Sequence, residues 1–77
     1  MKVKIYTTPS CPWCARTKEF FKEHKVKYQE LDVASNLKAR EEMIKKSGQM
    51  GVPVISVNGT VIVGFNEPAL RRVLKIK

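Results

Sequence analysis

Two β-branched runs, Val52-Pro53-Val54-Ile55-Ser56-Val57 and Thr60-Val61-Ile62-Val63, are separated by Asn58-Gly59 alone. Asn-Gly supplies the two positive φ values that a two-residue hairpin turn needs, so this segment predicts an antiparallel strand pair. The N-terminal half has a different rhythm. Lys2 to Thr7 alternates, with Val3 and Ile5 on one side and Lys2 and Lys4 on the other, in the period of a strand. Thr8-Pro9-Ser10 breaks it, and Pro12 suits the first turn of a helix running from Pro12 to His24. The inward stripe of that helix is Cys14, Thr17, Phe21 and His24, with Phe20 beside it. Val26 to Asp32 reads as a second strand.

Ser35 or Asn36 can cap a second helix through Leu37, Met43 and Ile44, which ends at Gly48. Asn66 can cap a third, with Pro68 in its first turn and Ala69, Leu70, Val73 and Leu74 as its buried face. The order is βαβαββα. A β-α-β unit implies a parallel pair with a right-handed crossover, and the hairpin adds two antiparallel strands. The predicted architecture is an α/β fold in which a mixed four-stranded sheet is flanked by three helices. A length of 77 residues suffices for one domain, 1–77, and not for two.

The chain has two cysteines, in Cys11-Pro12-Trp13-Cys14. A disulfide between residues three apart closes almost no loop, so the pair is a poor staple and reads as chemistry. With Pro12 opening the helix, Cys11 sits at the boundary where unpaired backbone N–H groups and the positive end of the macrodipole stabilise a sulfur anion. Cys14, inside the first turn, is more buried and keeps its proton longer. Cys11 is therefore the attacking sulfur and Cys14 the resolving one. Trp13 offers a flat apolar surface beside the sulfur, and Arg16 and Lys18 add positive potential.

Other chemistries fit less well. Zinc wants four ligands, and the only further soft donor, His24, lies about three turns along the same helix, so no metal site is assigned within the chain. An iron–sulfur cluster built from Cys11 and thiols of other molecules is an alternative of a different class. Fifteen Lys and Arg against seven Asp and Glu give a formal charge of +8, but the basic residues run from Lys2 to Lys77, mixed with acids on each helix. That distribution predicts a solvated surface and no nucleic-acid partner. The opening residues lack the apolar stretch of a secretory signal, and no run approaches the length needed to span a bilayer. A cytoplasmic monomer without membrane contact is expected.

Ile5-Tyr6-Thr7 leading to Cys11-Pro12-Trp13-Cys14, the segment Arg40-Glu41-Glu42-Met43-Ile44-Lys45-Lys46-Ser47-Gly48, and Val52-Pro53 before the hairpin together resemble the glutaredoxins. The resemblance covers essentially the whole chain. It implies a thioredoxin-like fold and a thiol–disulfide oxidoreductase that reduces protein or glutathione mixed disulfides. It also implies a cis Val52-Pro53 peptide facing the cysteines, with the Val52 backbone pairing to a bound thiol peptide. Glutathione is then a co-substrate and no cofactor is tightly bound. The implied glutathione- or partner-binding residues are Thr8, Trp13, Val52, Pro53, Gly64, Phe65, Asn66 and Glu67, with Pro12, Trp13 and Pro53 supporting the cysteines.

Two positions depart from the family pattern. Thr8 stands where glutaredoxins commonly carry lysine, and Gly64-Phe65-Asn66-Glu67 replaces their Gly-Cys-Asp-Asp. Gly64-Phe65 is similar instead to a segment of the redoxins that take electrons from thioredoxin reductase and supply ribonucleotide reductase. Disulfide-containing proteins are the expected partners, with glutathione or thioredoxin reductase as the electron donor.

Overall fold

The computed structural model describes residues 2–76. Its elements follow in the order β1 (Val3–Thr7), α1 (Pro12–Glu23), β2 (Gln29–Asp32), α2 (Leu37–Ser47), β3 (Val54–Val57), β4 (Thr60–Val63) and α3 (Glu67–Leu74). One mixed sheet has the strand order β2-β1-β3-β4, with β1 and β2 parallel and the other two pairs antiparallel. Both hairpin residues adopt positive φ, Asn58 at 50° and Gly59 at 92°. That is the geometry a tight turn between twisted strands demands.

Alternation along β1 and β3 divides the core into two layers. Val3, Ile5, Ile55 and Val57 pack with Phe20 and Phe21 of α1 and Leu70 and Leu74 of α3. Tyr6 and Val54 point to the other face and pack with Ala39 and Met43 of α2. Because β1 and β3 are central and covered on both faces, β3 is buried at all four positions, which explains why Val54, Ile55 and Val57 are β-branched, with the small Ser56 as the one polar residue. Among the described residues no helix is long and apolar enough to cross a membrane.

Several boundaries differ from expectation. The second strand begins at Gln29, not Val26, because the chain after α1 is used to close that helix. His24 caps α1 instead of extending it, and it lies half-buried with its ring 4.5 Å from that of Phe20. Lys25 then takes φ 56°, the Lys25 N–H donates to the Lys22 carbonyl and the Val26 N–H donates to the Phe21 carbonyl at 2.8 Å. This double bond pattern is a Schellman motif with lysine in the left-handed position usually given to glycine. Strand β1 begins at Val3 and β3 at Val54. Asn36 is the cap of α2, its Oδ1 accepting the Ala39 N–H at 3.0 Å, while Leu37 is 71% exposed and outside the core.

On the α2 face the buried Tyr6 hydroxyl donates to Glu42, whose Oε1 also takes Lys46 at 3.1 Å and Lys4 at 3.5 Å. The Tyr6 hydrogen bond, followed by that from Lys46, holds the Glu42 carboxyl at about 2, below its ordinary 4.5. A depressed carboxylate stabilises the fold above its unfolded pKa, and that contribution disappears as pH falls through the folded value. Glu42→Gln is therefore expected to flatten the loss of stability between pH 4.5 and pH 2 in urea titrations. Because the carboxylate is 41% exposed, its neutral-pH cost is held to about 1 kcal/mol or less. An unchanged acid profile would contradict this role.

Candidate active site

The loop between β1 and α1 delivers both cysteines to the helix start. Cys11 is the N-cap residue, with φ −97° and ψ 109°, and Pro12 opens α1 behind it. The Cys11 Sγ accepts the Cys14 backbone N–H at 3.1 Å, taking the part that a serine or aspartate oxygen plays at most helix starts. The first turn of α1 contains no acidic residue. The Cys11 Sγ is thus the side-chain group that meets the free N–H end of the helix. Cys11 is partly exposed, Cys14 is 1% exposed, and neither is in a disulfide.

Burial pushes the Cys14 thiol up to about 12, and the neighbouring Cys11 sulfur adds to this, while the Thr8 backbone and the Lys18 charge oppose it. The two sulfurs thus differ in the way the sequence predicts, one at the helix mouth and one sealed behind it. Thr17, also buried, fastens this turn by donating from its hydroxyl to the Trp13 carbonyl at 2.7 Å.

The Val52-Pro53 peptide is cis and faces the cysteines, as the resemblance implies. The Cys11 thiol points to the Val52 carbonyl at 3.9 Å. The Gly64 N–H donates to the Pro53 carbonyl at 2.8 Å and ties the end of β4 to this loop. Gly64 has φ 78°, a left-handed conformation in which a side chain would be strained. Trp13, Val52, Pro53, Gly64 and Phe65 line one cleft of about 250 Å³ beside Cys11. The Trp13 ring, 61% exposed, stacks with Phe65 at 6.1 Å, and Phe65 sets its ring edge-on to Phe20 at 5.8 Å.

Three residues named from the sequence do not line this cleft. Thr8 contributes through its backbone, its carbonyl accepting the Cys11 N–H at 3.4 Å. Asn66 spends its side chain on α3, accepting the Ala69 N–H at 3.2 Å, and Glu67 pairs with Arg71 at 2.9 Å. The two basic residues named near the sulfur also part ways. The Arg16 guanidinium lies 5.9 Å from the Phe65 ring centroid, at the edge of the cleft. Lys18 reaches instead to Glu30 on β2. Sequence reading missed Glu30 and Thr7. The available signal was the alternation of β1, which puts Thr7 on the same face as Ile5.

Among the described residues no group of three or more His, Cys, Asp or Glu side chains is placed to hold a metal ion.

A family model for glutaredoxin matches residues 3–62. An uncharacterised glutaredoxin-like 8.6 kDa protein from the rubredoxin operon of Clostridium pasteurianum is 45% identical over 73 residues, spanning 95% of this chain and 97% of that protein. Glutaredoxin 3 of Escherichia coli K12 is 42% identical over 65 residues, spanning 84% of this chain and 78% of that protein. Among solved structures, a thioredoxin-like protein superposes with a TM-score of 0.93 at 33% identity, covering 99% of this chain and 97% of that one. A glutaredoxin from Archaeoglobus fulgidus superposes with a TM-score of 0.88 at 28% identity, covering 96% and 86%. The architecture described above is the thioredoxin-like fold shared by these structures.

Proposed function

This chain belongs to the glutaredoxin family of redox proteins, and from that premise we propose that it is a thiol–disulfide oxidoreductase that reduces protein or glutathione mixed disulfides through Cys11. In the first step the Cys11 thiolate attacks one sulfur of the substrate disulfide. A bond from Cys11 to that sulfur forms, the substrate S–S bond breaks, and the other substrate sulfur leaves as a thiolate that takes up a proton. In the second step Cys14 gives up its proton and attacks the Cys11 sulfur. The remaining substrate thiol departs, leaving a Cys11–Cys14 disulfide, so two electrons have passed to the substrate.

The observation that carries this reading is the asymmetry of the pair: one sulfur capping the helix at its exposed mouth, the other buried with its thiol held protonated. A thiolate nucleophile needs the first environment, and a resolving thiol that waits for the mixed disulfide suits the second. The cleft of Trp13, Val52, Pro53, Gly64 and Phe65 is the surface on which the substrate lies, with the Val52 backbone offered to an extended thiol peptide.

A second reading concerns the electron donor. Phe65 fills the cleft wall between Trp13 and Phe20, and its apolar face favours a protein partner over the charged tripeptide glutathione. On that reading thioredoxin reductase re-reduces the protein. The test follows NADPH consumption with a disulfide substrate in two reconstituted systems, glutathione with glutathione reductase, and thioredoxin reductase alone. Turnover in either system is expected if the chain is an oxidoreductase, and the productive one identifies the donor. Failure in both would overturn the proposal.

A further inference from the structure

Between the active-site helix and the edge strand β2 lies a partly exposed polar cluster that the exchange scheme above does not use, with the Lys18 and Glu30 side chains 30% and 40% exposed. Thr7 ends β1, and its hydroxyl donates to Glu30 Oε2 at 2.9 Å. The same Glu30 oxygen accepts from Lys18 Nζ, also at 2.9 Å. The sheet register explains why these residues meet. Ile5 is opposite Glu30 in the parallel β1–β2 pair, and Ile5 packs on the face covered by α1. Alternation then directs Thr7 and Glu30 to that same face, whereas Tyr6 and Leu31 point to α2. Lys18 follows Cys14 by four residues, one helical turn, and helical side chains lean back toward the N-terminus, here toward the turn holding Cys14.

We propose that Lys18, clamped by Glu30 and Thr7, is the charge that supports Cys14 as the resolving sulfur. This deepens the exchange reading given above and rests on it. Resolution requires Cys14 to release its proton in a buried setting, and the proton goes to the departing substrate thiolate, so no further reactant enters. A cation held one helical turn from Cys14 favours the transient Cys14 thiolate while the bond to Cys11 forms. The charged and titratable groups acting on Cys14 are Cys11 and Lys18 from α1, the latter joined to Glu30 of β2, with the Thr8 backbone from the intervening loop. Asp32 acts on Glu30 from within β2. Hydrogen bonding between Lys18 and Glu30 raises the pKa of the lysine and lowers that of the carboxyl. The pair therefore stays ionised, with Lys18 as cation. Glu30 and Thr7 are positioning residues, because they act on Cys14 only through Lys18.

The test separates the two chemical steps. Reduced wild type, Lys18→Met, Lys18→Arg and the double variant Lys18→Met/Glu30→Gln are mixed with a protein disulfide, quenched in acid, and weighed by mass spectrometry for the Cys11 mixed disulfide and the internal disulfide. Lys18→Met is expected to form the mixed disulfide at the wild-type rate and resolve it more slowly at pH 7, by about 3-fold or more, because loss of the cation disfavours the Cys14 thiolate. Its resolution profile moves to higher pH. Lys18→Arg is expected to resolve within about twofold of wild type, because the guanidinium keeps the charge and the carboxylate partner. The double variant stays slow.

Resolution by Lys18→Met at the wild-type rate, equal slowing of both steps, no recovery with arginine, or recovery in the double variant would each overturn the proposal. The last of these would trace the defect to an unpaired Glu30. A wild-type protein that forms no Cys11 mixed disulfide would instead overturn the exchange reading on which the proposal stands.

Discussion

Replacing Cys11 by serine is expected to reduce disulfide exchange to background, a loss on the order of 10³-fold or more, as is usual when a catalytic nucleophile is removed. The variant is informative because the change spares the scaffold. Cys11 caps α1 through its sulfur, and serine is among the best helix caps. Thermal unfolding of Cys11→Ser should therefore match wild type within a few degrees while insulin reduction disappears. Loss of activity with intact folding assigns the effect to the sulfur. Full insulin-reducing activity in the serine variant would refute the assignment of Cys11 as nucleophile.

The largest expected effect on stability belongs to Phe21. Its side chain is fully buried between α1 and the sheet, with its ring 5.2 Å from Tyr28 and 6.3 Å from Phe20. Truncating a buried phenylalanine to alanine loses the transfer free energy and leaves a cavity, about 3–5 kcal/mol together. A chain of 77 residues is expected to have only about 4–12 kcal/mol in total at 0.05–0.15 kcal/mol per residue. Phe21→Ala should thus remove from about a quarter to all of that stability, and lower the guanidinium midpoint in the same proportion. The Phe21 carbonyl also receives the Val26 N–H that closes α1, but that bond is made by the backbone and survives the substitution. A cost below about 1 kcal/mol would mean that the site collapses around the missing ring, or that the core is looser than the packing shows.

Much of the architecture was legible because local chemistry and tertiary need coincide. Asn58-Gly59 could hardly be anything but a hairpin turn, Gly48 at φ 71° ends α2 as its position suggests, and Asn66 caps α3 with its side chain. The β-branched run of β3 fits a central strand covered on both faces. What escaped the sequence were features set by distant partners. Val26 has the composition of a strand residue, yet its N–H is taken by Phe21, because Lys25 adopts a conformation for which glycine would have been the cue. Leu37 has helical spacing but sits in the first turn of α2 and faces solvent.

The site divides in the same way. The difference between Cys11 and Cys14 follows from where a helix begins, which proline marks in the sequence. Gathering Trp13, Val52, Pro53, Gly64 and Phe65 around a cleft depends on the first turn of α1 and two loops, before β3 and after β4, meeting at the sheet end. Their assembly was implied by family resemblance, not by spacing. Asn66 and Glu67 were named with them, but the α3 N-terminus uses their side chains for its own cap and ion pair. The pairing of Lys18 with Glu30 depends on the parallel register of β1 and β2, which no local pattern reveals.

The measurement that tests the division of labour between the two sulfurs most directly is trapping in the Cys14→Ser protein. Reduced Cys14→Ser is mixed with a disulfide substrate and examined by mass spectrometry after acid quenching, beside wild type. The account predicts that the variant accumulates one substrate half per chain, mapped to Cys11, while wild type ends as the internal Cys11–Cys14 disulfide, lighter by a pair of hydrogen atoms. A Cys14→Ser protein that forms no adduct at Cys11, or a wild type that never closes the internal disulfide, would contradict it.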